Sequence, residues 1–164
     1  NLRDAGEQVR VAARPGRDAE SRARAHGFEV AAPAEAMRGA DTLAMLLPDE
    51  SVAAAWPELA ASAAGVRSIV FAHGFNLLYG ALAFPDSACV VLVSPTGPGR
   101  VLRELYERGE GLPAYLAVHQ ATRGRMRPTT PPRLAARAPD CCAPPCARRP
   151  RWICSGSRRC CAAA

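Results

Sequence analysis

Four places in this 164-residue chain carry chemically capable side chains directly after an apolar run. Arg14 and Arg17 follow QVRVAA, and Asp49, Glu50, Ser51 and Val52 follow DTLAMLLP. His73 follows SIVFA, and Thr96 and Gly99 lie in the turn after ACVVLVSP. A guanidinium after a strand can fork onto a phosphate, although such a pair also suits a solvated turn. The PDE carboxylates could face a ligand, or simply start a helix with acids at the positive end of its dipole. An imidazole can donate a hydrogen bond or pass a proton near neutral pH, whereas a single histidine at a strand end is commonly structural. Glycine at position 99 would let the backbone approach a ligand closely, or serve a plain turn.

The elements that must position these residues can be read from the same pattern. Residues 8–13, 28–30, 41–47, 68–72, 88–93 and 114–118 read as short, apolar strands. Between them, residues 18–26 form a polar helix that Asp18 can cap, and residues 33–38 open with proline in a helical first turn. Residues 51–64 make an alanine-rich helix interrupted by Pro57, and residues 100–108 a further helix. Residues 2–6 read as the end of a helix stopped by Gly6. Apolar strands alternating with helices predict an α/β fold, a doubly wound parallel sheet covered on both faces. Ligands of such sheets sit beyond the carboxyl ends of the strands, where Arg14, Asp49, His73 and Gly99 lie.

Charge divides the chain in two. Residues 1–120 hold eleven arginines against fourteen acids, and residues 121–164 hold ten arginines against Asp140 alone. The net charge of +6 therefore belongs to the tail. All 21 basic residues are arginine, which points to a GC-rich gene. No stretch approaches the roughly 20 apolar residues of a membrane span. Cys89 is the only cysteine before the tail, as expected of a protein in a reducing cytoplasm.

The motifs NLRDAGEQVRVAARPG, HGFEV, LLPDE, FAHGFN and SPTGPG, in this order and spacing, resemble the amino-terminal domain of ketol-acid reductoisomerase of the short bacterial type. The resemblance covers residues 1–120. It implies a Rossmann-like domain and an oxidoreductase of valine and isoleucine biosynthesis. Such an enzyme uses NADP and magnesium to shift an alkyl group in an acetohydroxy acid and then to reduce the resulting ketone. By the same resemblance Arg14 and Arg17 face the ribose 2′-phosphate, a role for which cations suit NADP as an acid suits NAD. Asp49, Glu50, Ser51, Val52 and Gly99 line the cofactor, and His73 sits at the reaction centre. Homo-oligomers are implied, with neither a membrane nor a specific nucleic acid as partner. Three positions depart from the family pattern. Arg17 and Ala19 stand where hydroxyl residues are usual, and Thr96 where the active site has a lysine.

A dinucleotide fold opens with a strand and a G-x-G-x-x-G loop that holds the pyrophosphate, and no such motif occurs in this sequence. Without that central strand the sheet is expected to fall into two halves with open edges. The expectation is a truncated domain over residues 1–120, inactive by itself, with no metal ligand of its own. Residues 121–164 should form a disordered tail. Of these 44 residues, 32 are Arg, Ala, Pro or Cys, as a GC-rich gene yields when read out of frame. Residues 152–163 can be encoded so that starting two bases later reads DLFGEQAVLCG. That string is the family's magnesium-site helix, with Asp and Glu four apart on one face. A frame slip near Gln120 is therefore expected. The tail cysteines run C-C-x₃-C-x₇-C-x₅-C-C without a nearby histidine, a poor zinc pattern. The alternative function is a non-enzymatic protein binding nucleic acid through the tail's arginines, with Trp152 to stack on a base.

Overall fold

The computed structural model describes residues 1–122 and the backbone of residues 159–163. The chain runs β1 (Gln8–Ala12), α1 (Asp18–Ala25), β2 (Glu29–Ala31), α2 (Pro33–Ala36), β3 (Thr42–Met45) and α3 (Asp49–Ser62). It continues through β4 (Ser68–Phe71), α4 (Phe75–Leu78), β5 (Cys89–Pro95), α5 (Gly99–Glu107), β6 (Ala114–Gln120) and β7 (Arg159–Ala163). One seven-stranded sheet has the order β2-β1-β7-β3-β4-β5-β6.

The core lies on the central strands. Leu43, Ile69, Val70, Phe71 and Val90 are buried, as are Val52, Trp56 and Leu59 of α3. Those three α3 residues are spaced i, i+4, i+7, the stripe of a helix that buries one face. The sequence had Pro57 interrupting this helix, yet α3 runs through it. Pro57 is exposed, while its neighbour Trp56 is anchored, with Nε1 donating to the Ala83 carbonyl at 3.1 Å. Phe84, from the loop before β5, packs edge-on against Trp56 and Phe71 at 5.0 and 5.9 Å. This buried cluster opposes the roughly 3 kcal/mol cost of an interior proline.

All pairings except the last are parallel. The expectation of a wholly parallel sheet fails at β6, which runs antiparallel to β5 with a bulge at Val90/Val91. Thr96 explains the reversal, because its amide and its Oγ1 both donate to the Pro113 carbonyl at 2.9 Å. These bonds return the chain to the end of β5 that it has just left, so Ala114 opposes Pro95. The helix expected before β1 is a series of turns closed by Gly6 at φ +87°.

The sheet is not split. β7 pairs with β1 from Gln8↔Arg159 to Ala12↔Ala163, and with β3 from Thr42↔Cys160 to Met45↔Ala163. β1 and β3 present parallel rows of amides and carbonyls toward one gap, and a single extended segment satisfies both rows. The order β2-β1-β7-β3-β4-β5 is that of a dinucleotide fold, with the last strand of the chain in the first strand's place. Residues 159–163 thus depart from the expectation of a tail without structure. The rest of that expectation, at 123–158 and 164, lies outside the described residues. Among the described residues no helix is long and apolar enough to cross a membrane.

Candidate functional site

Because β1, β3, β4 and β5 run parallel and in register, their carboxyl ends form one rim. Ala12, Met45, Phe71 and Leu92 occupy its last paired rungs. Arg14, Asp49, His73, Thr96 and Gly99 all follow that rim within a few residues. β7 stands between the Arg14 end and the rest.

The β1–α1 loop carries Arg14 and Arg17, both exposed. Neither makes an ion pair among the described residues, so both guanidinium groups are uncommitted there. Gly16 sits at φ +75°, a conformation that glycine adopts without a Cβ penalty. Its amide donates to Glu20 Oε2 at 2.7 Å, while Arg24 grips Oε1 of the same carboxylate at 3.2 Å from Nε and 3.0 Å from Nη2. The Gly16 amide, helped by Arg24, holds the Glu20 carboxyl below the usual range. Arg17 is the N-cap of α1 and makes no side-chain cap bond, and Glu20, the third helical residue, reaches back past the N-cap to the Gly16 amide, a variant of the capping box. An acid three residues after an N-cap is the sequence signal for a contact of this kind. Arg10 has a different fate. Its Nη1 donates to the carbonyls of Glu35, Ala36 and Arg38, closing the end of α2.

At the β3 and β4 ends the tie is buried. Asn76, only 4% exposed, donates Nδ2 to both the carbonyl and the Oδ1 of Asp49 at 3.0 Å. One amide thus fixes the start of α3 to α4. In the sequence Asn76 shows only as the last letter of FAHGFN, where nothing marks its partner 27 residues away. Gly80 closes the same turn, for a Cβ there would lie 2.4 Å from the Asn76 carbonyl oxygen. Of the four residues read as cofactor contacts here, Asp49 and Ser51 are half-buried and Glu50 is exposed. Val52 is 1% exposed and belongs to the core, so its side chain packs against protein. His73 is exposed on the loop between β4 and α4.

At the β5 end a Cβ built on Gly99 meets nothing within 4 Å, so the fold itself does not require glycine there. The Thr96 hydroxyl is used on the Pro113 carbonyl, which lies beyond α5 just before β6. Cys89 is half-buried, and burial pushes its thiol up, which makes it a poor nucleophile. Among the described residues no three His, Cys, Asp or Glu side chains converge as a metal centre requires.

A parallel sheet of this strand order, with uncommitted arginines after one strand and a clamped acidic loop after another, defines a dinucleotide-binding α/β domain. Residues 1–131 match the family described as acetohydroxy acid isomeroreductase, NADPH-binding domain. The chain belongs to that family of oxidoreductases. It is also similar to the solved structure of an NADH-preferring ketol-acid reductoisomerase from an uncultured archean, at 31% identity and a TM-score of 0.66. That match covers 73% of this chain and 38% of the other, so the chain spans well under half the length of its structural relative.

Proposed function

We propose that the chain is the cofactor-binding part of a ketol-acid reductoisomerase, the whole of which isomerises and reduces acetohydroxy acids of branched-chain amino acid synthesis in the cytoplasm. The observation that carries this reading is the rim of parallel strand ends, with its two uncommitted arginines, in a chain of this family. Arg14 and Arg17 hold the 2′-phosphate of NADP through charge-assisted hydrogen bonds. Asp49, Glu50 and Ser51 flank the cofactor, with the Asn76 amide keeping Asp49 in place. At Gly99 the open space beside the backbone admits the cofactor's surface. NADPH, when bound, supplies a hydride. His73 lies at the end of β4, where an imidazole can donate to a substrate oxygen.

This reading includes no turnover by the purified chain. The described residues provide no metal centre, and the sequence contains no G-x-G-x-x-G loop. The arginine- and cysteine-rich tail is best explained by a frame slip near Gln120, since a shifted reading of residues 152–163 yields an acidic helix of the family type. Two measurements test the proposal. Titrating the chain with NADPH, followed by fluorescence, should show saturable binding that weakens when Arg17 is replaced by Gln. Incubation with an acetohydroxy acid, magnesium and NADPH should leave the NADPH absorbance unchanged, and steady oxidation would refute the inactivity.

A further inference from the structure

We propose that the slot between β1 and β3 is an interaction surface for a second copy of this chain, and that residues 159–163 of two copies exchange to give a closed dimer. Each copy then supplies the strand that joins the two halves of the other's sheet.

The slot is lined on one side by β1, paired from Gln8↔Arg159 to Ala12↔Ala163, and on the other by β3, paired from Thr42↔Cys160 to Met45↔Ala163. These ladders are made by backbone, so the same segment of another copy satisfies the same rows of amides and carbonyls. The choice between donors then depends on how firmly the strand is tied to its own sheet. Each earlier strand reaches the next through a connection that carries a helix, α1 to α5 in turn. β7 is instead separated from β6 by residues 121–158, of which 123–158 lie outside the described residues. β6 is at the far edge of the sheet, four places from β7. Its last residue, Gln120, pairs with Val90 near the start of β5, the end of the sheet at which Arg159 enters the slot. Four strand spacings come to about 19 Å, whereas 36 residues can reach as far as about 120 Å. The connection is therefore much longer than its own slot demands, and it also spans the distance to the slot of an adjoining copy. Reciprocal exchange closes on itself, leaving no free slot. Arg14 follows β1 and Asp49 follows β3, so the strand from the second copy stands in the middle of the candidate site's rim.

A tethered strand competes for its own slot at an effective concentration on the order of 1 mM or less, falling as the linker lengthens. Exchange should take over as the chain approaches that concentration. The full chain is therefore followed by size-exclusion chromatography with light scattering from about 10 µM to about 1 mM. Reductant is present throughout, so that cysteines do not join copies by disulfides. A monomer is expected at the low end, with the dimer fraction rising about tenfold or more across the range. The series is repeated with an excess of a peptide of residues 157–164, added before the chain is concentrated. The peptide should cut the dimer fraction at least about twofold, because it takes the slot without bringing a second copy. The same peptide carrying Cys161→Pro cannot donate to the ladder in mid-strand and should leave the dimer intact. A monomer at every concentration overturns the proposal, as does a dimer that both peptides disrupt equally. A dimer indifferent to the first peptide overturns it too, and moves the contact elsewhere, such as to the exposed Tyr115, Leu116 and Val118 of β6.

Discussion

The two ends of the candidate site are held by different physics. At the β1–α1 loop the side-chain contacts are charged and reached by solvent, with Glu20 between the Gly16 amide and Arg24. At the β3 and β4 ends the contact is a buried neutral amide, Asn76, shared between two acceptors of Asp49. The first arrangement responds to salt and pH and is worth little to stability, because solvent screens it. The second is insensitive to salt, and losing it leaves polar atoms without partners in a place water reaches poorly. A site built this way can vary its ribose end freely while its acidic loop stays where the fold puts it.

The largest expected effect comes from forcing the buried end. In Gly80→Ala the new Cβ would meet the Asn76 carbonyl oxygen at 2.4 Å, and backbone must move. Denaturant unfolding should show a loss of about 2–3 kcal/mol, the range of an overpacked site. An unchanged midpoint would mean that this turn is looser than the contact requires. Next comes Asn76→Leu, which keeps the volume and removes both donations to Asp49. A loss of about 1–2 kcal/mol is expected, the same at low and at high salt. A loss that vanished in salt would break the contrast between the two ends.

How much of this was legible follows from the range of each signal. The strands, their burial and the rim were readable because apolar runs report burial directly, as with residues 68–72 and β4. The continuity of α3 through Pro57 was not, because it depends on Trp56 reaching Ala83 and Phe84 from another part of the chain. The antiparallel course of β6 was hidden for a similar reason, resting on Thr96 and Pro113, 17 residues apart. β7 was the least legible of all. RCCAA carries no strand signal of its own, and the pairing comes from the open rows of β1 and β3. At the site, residue types pointed to Arg14, Arg17 and His73. The residues that hold loops in place, Glu20 and Asn76, do so through partners four and 27 residues away.

Smaller effects sharpen the contrast further. Gly99→Ala meets no protein atom and places alanine in the first turn of α5, so the unfolding midpoint should hold or rise by about 0.5–1 kcal/mol. NADPH binding should weaken in the same variant, as measured by titration. A variant that bound NADPH as well as the parent chain would remove Gly99 from the cofactor surface.

The smallest effect is expected at Glu20, and it carries a sign. Its carboxyl is held below the ordinary range by the Gly16 amide and Arg24. A group whose pKa is depressed by folding contributes stability above its unfolded value, about pH 4.3 for glutamate, and loses that contribution as pH falls through the folded value. Asp4, held low by hydrogen bonding from Arg103, acts in the same direction. The parent chain should therefore lose stability below about pH 4.3, and Glu20→Gln should lose less over the same interval. The difference between the two acid profiles isolates Glu20 from Asp4 and the other carboxylates, and added salt should reduce it. Superimposable profiles would show that hydrogen-bond geometry, rather than charge, holds the β1–α1 loop. The two ends of the site would then differ only in burial.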